Sequence, residues 1–320
     1  MNNTPHLKFF FLNVFLFLIP VFLSAQNSFK VIPLGVKGGA DESNLSSYML
    51  APYNSNDYVC LDAGTLYAGI RKARENGLFR KNIDRVLREN IKGYLISHAH
   101  LDHIAGMILN SPDDTSKNIY ALPSVIDVLK SHYFTWKSWA NFTDEGDPPT
   151  LKKYHYVNLA PSIEIDVQHT DMKVTAFSLS HGNPYESTAF LIRSNDNYLL
   201  YLGDTGPDEI EKSDKLDNLW KAIAPLIQSK KLKALFIEVS FSNKQPDKAL
   251  FGHLTPKWLM SEMDSLGVLT GINEMKNFPV VITHIKPLPG NEKLIKKELL
   301  NLNQLQLKII YPRQGKMLKF

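Results

Sequence analysis

The chain has 320 residues, 44% of them hydrophobic and 21% charged, with a formal net charge of +4. That balance belongs to a globular protein, not to a disordered or fibrous one. A single cysteine, Cys60, excludes an intrachain disulfide framework and a cysteine-rich zinc cluster, and so mild a charge gives no electrostatic footprint for a nucleic-acid partner.

The N-terminus differs from the rest. Lys8 precedes an apolar stretch from Phe9 to Leu23, broken by Pro20 and followed by the small residues Ser24 and Ala25. This order is that of a secretory signal peptide over 1–25, with cleavage expected after Ala25. A retained membrane anchor is the alternative, although the apolar stretch is short for a span of about 20 residues. No cysteine follows, so a lipoprotein signal is excluded. The expected mature chain is one domain over 26–320, exported to the periplasm or the medium, without stable membrane insertion after cleavage.

Short apolar runs then recur, and most stop at a polar residue able to do chemistry. In chain order they are "FKVIPLGV", "YVCLDAG", "GYLISHAH", "VTAFSLSHG", "YLLYLGDTG", "KALFIEVSF" and "PVVITHIKP". Runs of this length, rich in β-branched residues and leucine, predict strands covered on both faces. Cys60, inside the second run, reads as a small buried apolar residue. Helical patterns lie between, in "PSVIDVLKSHYF" from Pro123 and in "TPKWLMSEMDSL", where Thr255 is the expected N-cap and Pro256 the first helical residue. The basic clusters at 229–233 and 293–297 read as solvated faces. Strands alternating with helices predict a layered α/β domain with its site at the strand ends.

The densest chemistry follows "GYLIS": His98, His100, Asp102 and His103. On an extended chain His98 and His100 point the same way. Asp102 and His103 cannot both join them while the strand continues, so the chain must turn at Leu101, with "IAGMIL" beginning a helix. Imidazole and carboxylate suit zinc, manganese and iron. His181, Asp204 and His284 end later strands and bring the candidates to five histidines and two aspartates. That is enough for two divalent metal ions, and the absence of thiolate favours a catalytic over a structural site.

H-x-H-x-D-H with distant His, Asp and His resembles the metallo-β-lactamase fold, and within it the class II cyclic-nucleotide phosphodiesterases. "HAHLDHIAGMILNSP" matches that family's extended signature, and "SLSHG", "YLGDTGPD", "FIEVSF", "GHLTP" and "THIKP" recur in its order, with "WANFT" similar to its aromatic segment. The resemblance covers residues 29–320. It implies an α/β, four-layer αββα sandwich. It also implies one metal held by His98, His100 and His181, a second by Asp102, His103 and His284, and Asp204 between them, with zinc the first candidate and manganese or iron the alternatives.

The activity so implied is hydrolysis of a 3′,5′-cyclic nucleotide, cyclic AMP before cyclic GMP, to the 5′-monophosphate. A water held between two such cations would lose its proton near neutral pH and attack phosphorus, and the bond opposite would break. Since an alkoxide leaves poorly, His253 of "FGHLTP" is the expected proton donor, with Glu238 of "FIEVSF" orienting it. Alternatively His253 contacts phosphate as a cation and Glu238 orients a ligating histidine. Trp139 and Phe142 are candidates for stacking on the base, and Asn141 for a hydrogen bond to base or ribose. His132, His155 and His169 match no motif.

Other readings remain on the same fold. A β-lactamase of the commonest metal-dependent type would ligate through cysteine, and Cys60 lies outside the ligand motifs. A lactonase or thioesterase leaves "GHLTP" and "FIEVSF" without a job, and a nuclease resembling RNase Z conflicts with export. A non-catalytic metal- and nucleotide-binding sensor is a different class again. The expected partner is thus a small cyclic nucleotide and no nucleic acid; a homodimer is compatible with the chain, which carries no signature of its oligomeric state.

Overall fold

The computed structural model describes Met1 and residues 27–320, so, Met1 apart, the signal peptide expected over 1–25 lies outside the described residues. None of the described helices is long and apolar enough to cross a membrane. The first half of the chain supplies β1 (Phe29–Gly35), β2 (Ser47–Pro52), β3 (Tyr58–Leu61), β4 (Ile91–Leu95), β5 (Lys117–Ala121) and β6 (Tyr154–Asn158). The second supplies β7 (Glu164–Val167), β8 (Met172–Ser180), β9 (Glu186–Ser194), β10 (Asn197–Leu202), β11 (Leu232–Glu238), β12 (Pro279–Thr283) and β13 (Lys308–Ile310), after which β14 (Leu318–Lys319) returns to the first sheet.

The sheet orders are β14-β1-β2-β3-β4-β5-β6 and β13-β12-β11-β10-β9-β8-β7. Each half starts as an antiparallel meander and becomes parallel, from β3 onward in the first sheet and from β10 onward in the second. Parallel strands need helical crossovers that cover the sheet. Here these include α1 (Tyr67–Glu75), α2 (Leu101–Asn110), α3 (Pro123–Val128), α4 (Lys215–Gln228), α5 (Pro256–Thr270) and α6 (Asn291–Leu302).

The period of two divides the second sheet between two cores. Leu199, Tyr201, Ala234 and Phe236 enter the cluster shared with the first sheet, whereas Leu200, Leu202, Leu235 and Ile237 enter the cluster beneath the helices. Helix α4 closes that second core with Leu216, Leu219, Trp220, Ile223 and Ile227, an apolar stripe at helical spacing. A fully buried residue such as Leu219 contributes on the order of 1.5–3 kcal/mol by leaving water. The result is the expected αββα sandwich.

Three local expectations are corrected. The run in β8 is not covered on both faces: Lys173, Thr175 and Phe177 remain half-buried, alternating with the buried Val174 and Ala176. Thr255 occupies the N-cap position of α5 and Pro256 its first turn, yet the Thr255 side chain makes no capping hydrogen bond. The helix from Pro123 is regular only to Val128 and continues over Leu129–Tyr133 in wider, π-type turns.

Candidate metal centre

Every expected ligand sits just past a strand or in the turn that follows one. After β4 the chain runs extended through His100, with ψ of 147°, and α2 starts at Leu101. His98 and His100 therefore leave the extended segment, and Asp102 and His103 the first helical turn. His181 follows β8, Asp204 stands two residues past β10, and His284 directly follows β12. His284 has φ of +56°. Such left-handed backbone costs a non-glycine residue on the order of 1–3 kcal/mol and clusters at functional sites.

The seven side chains converge from these separate elements. His98 Nε2 lies 3.1 Å from His100 Nδ1, and His181 Nε2 lies 3.3 Å from that same nitrogen. On the other side Asp102 Oδ2 is 3.1 Å from His284 Nε2 and 4.0 Å from His103 Nε2. Asp204 Oδ2 stands between the groups, 3.1 Å from His284 Nε2, 3.4 Å from His103 Nε2, 3.8 Å from His181 Nε2 and 3.9 Å from His98 Nε2. Two of the clusters able to hold a metal ion are thus His98–His100–His181 and Asp102–His103–His284, and a third joins Asp204 to His98 and His103.

The donor set fits a cation. Ligand atoms about 2.0–2.1 Å from a tetrahedral zinc are separated by about 3.3 Å, close to the shortest distances above. Buried His103 Nε2 has no hydrogen-bond partner. Burial works against a charged His103, but Asp204, Asp62 and Asp102 together hold its pKa well up, so positive charge is called for where this nitrogen points. Burial, reinforced by neighbouring imidazoles, holds His98 well below its ordinary value and His100 at about 4. Burial also lowers His284. Neutral imidazole is the form that ligates metal. Burial alone would raise Asp204, yet His284 and His103 keep it well below the usual carboxylate range.

A second layer fixes the tautomers. Nδ1 of His98 donates to Ser97 Oγ at 3.0 Å, Nδ1 of His181 to the Gly252 carbonyl at 2.8 Å, and Nδ1 of His284 to Ser240 Oγ at 2.9 Å. Nδ1 of His103 lies 2.7 Å from Asp62 Oδ2. Each arrangement leaves Nε2 for the centre, the familiar device by which outer groups orient ligating histidines. Asp62, with φ of +54°, was not among the expected site residues, although it too ends an apolar run, "YVCLDAG". Ser240 was also missed, and a serine two residues past a strand carries no signal of its own.

Glu238 and His253 join the same cluster. Glu238 Oε1 accepts from His253 Nδ1 at 2.7 Å, and Oε2 accepts the Ser240 hydroxyl at 2.7 Å. One carboxylate therefore orients His253 directly and His284 through Ser240. Burial opposes a charged His253, but Glu238 beside it raises the pKa on balance.

The expected substrate contacts fare differently. Asn141 is fully buried, donates to the carbonyls of Glu145 and Asp147, and accepts from the amide and hydroxyl of Thr143. Both donors and the carbonyl are thus consumed in its own loop, so the geometry makes it a loop clasp, not a base contact. Trp139 Nε1 donates to Ser111 Oγ at 3.0 Å and the ring packs on the core between the sheets, while Phe142 lies beneath the Lys153 ammonium. Neither lines a cavity at the ligand cluster. Those cavities use aromatics that loop sequence did not announce, Tyr185 and Phe251, which are 62% and 72% exposed. A larger cavity of about 770 Å³ lies at the opposite ends of the strands, among Asn27, Tyr53 and Asn197, away from this chemistry.

Comparison with known proteins agrees with the geometry. Residues 27–315 match the family described as cAMP phosphodiesterases class-II. A 3′,5′-cyclic-nucleotide phosphodiesterase of Aliivibrio fischeri is 40% identical over 314 residues, covering 93% of this chain and 95% of that protein. A cAMP/cGMP-dependent 3′,5′-cAMP/cGMP phosphodiesterase A of Dictyostelium discoideum is 30% identical, covering 90% of this chain and 80% of that one. Among solved structures, unliganded yeast PDE1 superposes with a TM-score of 0.82 at 23% identity, over 92% of this chain and all of that one. The metallo-β-lactamase fold protein YhfI of Bacillus subtilis does so at 0.60 and 16%, over 91% and 99%. The chain therefore belongs to the class-II cAMP phosphodiesterase family, with the metallo-β-lactamase fold, and is a metal-dependent 3′,5′-cyclic-nucleotide phosphodiesterase.

Proposed function

We propose that the chain hydrolyses 3′,5′-cyclic AMP, with cyclic GMP as a second substrate, at the P–O3′ bond to give the 5′-monophosphate. The cofactor is two divalent ions, zinc first and manganese or iron as alternatives. The observation that carries this reading is the division of six candidate ligands into two groups of three that both face the seventh, Asp204. His98, His100 and His181 would hold one ion, Asp102, His103 and His284 the other, with Asp204 serving both. When bound, such a pair acidifies water and offsets charge on the phosphoryl oxygens.

The chain's own residues supply the rest. Water adds to phosphorus opposite O3′, the P–O3′ bond breaks, and O3′ needs a proton as it leaves. Because Glu238 accepts at Nδ1 of His253, Nε2 is the nitrogen that carries this proton to O3′. Glu238 keeps the ring charged before transfer and fixes its orientation, the role of a carboxylate behind a general-acid histidine. Since Gly252 and Phe251 adjoin His253 in sequence and line the cavity beside His181, the nucleoside is placed there, with Phe251 and Tyr185 available to its base.

The deciding measurement is chromatographic turnover of cyclic AMP and cyclic GMP by metal-loaded protein, by a chelated sample and by Asp204→Ala. The expected product is the 5′-monophosphate, lost on chelation and in the variant. Opening of a lactone with both cyclic nucleotides untouched would overturn the reading. We propose export on the order of residues in 1–25; an intact N-terminus on protein recovered from the cytosol would remove that proposal.

A further inference from the structure

Two separate cavities open on the ligand cluster, one of about 330 Å³ and one of about 480 Å³, and among the described residues His100 and Tyr185 alone line both. The rings of those two residues stand 5.5 Å apart, inclined at 63°, and form the wall between the cavities. The first cavity runs along α3 and is walled by Val125, Val128, Pro184 and Tyr185, with Ser124 and Glu186 among its few polar groups. The second is lined by His181, Glu211, Lys248, Phe251 and Gly252. Phe251 is exposed on left-handed backbone, with φ of +53°, a conformation that a bulky side chain rarely adopts without reason.

A cyclic mononucleotide has one base, and both ester oxygens belong to one ribose. With O3′ at His253, its nucleoside is assigned to the second cavity, which leaves the first without an occupant. Yet the first cavity alone is within the range of about 300–1,000 Å³ typical of ligand sites, and its apolar and aromatic walls with few polar groups are those that receive a flat ring. A linear phosphodiester differs in having two independent arms.

Resting on the phosphodiesterase mechanism proposed above, we infer that the cavity along α3 receives the second nucleoside of a linear diester, so that the chain also cleaves dinucleoside monophosphates such as adenylyl-(3′→5′)-adenosine. The 3′-linked nucleoside lies at Phe251 and the 5′-linked one between Tyr185 and Val128. Water adds to phosphorus, the P–O3′ bond breaks, and O3′ takes a proton from His253. The products are adenosine with a free 3′-hydroxyl and 5′-AMP; cleavage at the other ester would instead give 3′-AMP.

The test compares turnover of this dinucleotide and of cyclic AMP by metal-loaded full chain, Asp204→Ala, and two variants that fill the cavity along α3, Val128→Trp and Ser124→Trp. Ser124 is exposed, so its replacement leaves the core untouched, and cyclic AMP turnover reports folding of both variants. The expected result is adenosine and 5′-AMP in equal amounts from the parent and none from Asp204→Ala. Both tryptophan variants should lose dinucleotide cleavage tenfold or more while keeping cyclic AMP turnover within twofold. Cyclic AMP hydrolysed with the dinucleotide intact overturns the inference and leaves the mononucleotide activity standing. Equal losses on both substrates in Ser124→Trp also overturn it, by placing the cyclic nucleotide's own base in that cavity. Turnover of neither nucleotide would sink the inference together with the function on which it rests.

Discussion

Asp62 Oδ2 accepts the Nδ1 proton of His103 at 2.7 Å, and the same carboxylate accepts Tyr201 Oη at 2.6 Å and the Ser97 amide and hydroxyl at 2.7 and 2.8 Å. One buried side chain therefore sets the tautomer of a candidate metal ligand and ties the end of β3 to β4 and β10. Replacing Asp62 with Asn keeps one acceptor oxygen, turns the other into a donor and removes the charge that draws the His103 proton to Nδ1. The expected loss in metal affinity is about 10–100-fold, the usual scale for such outer groups. Asp62→Ala should also strand buried donors, at about 1–3 kcal/mol for each one left unpaired. Metal titration separates the first effect and chemical denaturation the second.

Metal removal should destabilise the fold as well as stop turnover. Asp62, Asp204 and Glu238 are each at most 2% exposed and Asp102 lies beside them, so the cluster concentrates negative charge that a cation offsets. A ligand bound only by the folded state contributes about 2.7 kcal/mol at a hundredfold excess over its Kd. Scanning calorimetry with chelator should show a lower Tm, restored by adding zinc or manganese. A Tm that ignores the chelator would mean that the histidine cluster is stable without its ions.

Much of this centre was legible in the sequence because its ligands obey local rules. Apolar runs specify β4, β10 and β12, and the residue past each run must stand at the sheet edge, which places His98, Asp204 and His284 at one end of the sandwich. The turn at Leu101 follows from the alternation of side chains on a strand. Asp62 followed the same rule, but a lone aspartate after "YVCL" has no neighbouring ligand to single it out. Asn141, Trp139 and Phe142 misled because composition near a motif does not say which way a loop packs; Asn141 is spent on its own turn. Tyr185 and Phe251 lie in loops whose course depends on the packing of His181 against Gly252, which no local pattern encodes.

That packing leads to a prediction at Gly252. Its φ is +77°, and an added Cβ would come within 2.4 Å of the Gly182 nitrogen and 2.5 Å of the His181 carbonyl carbon. Both are backbone atoms, so a flexible side chain cannot relieve the clash. Gly252→Ala should displace the loop whose carbonyl holds His181 Nδ1, at a cost on the order of 1–3 kcal/mol. The expected readouts are a lower metal content and a kcat reduced tenfold or more. Full activity with unchanged metal binding would show that His181 keeps its orientation without the Gly252 carbonyl.

His253 can be tested by changing the leaving group. As proton donor to O3′ it should contribute about 10²–10⁴-fold to kcat, so His253→Ala should lose that much on cyclic AMP. Bis(p-nitrophenyl) phosphate expels a stable phenolate that needs no proton, and there the same variant should lose tenfold or less. Glu238→Gln should follow the same split, since it removes the carboxylate that raises the His253 pKa, and it should weaken metal binding slightly through Ser240 and His284. The two roles open to His253 then separate cleanly. A cation that only binds the phosphate helps both substrates alike, and equal losses on the two would assign His253 to phosphate binding and leave the proton to another group.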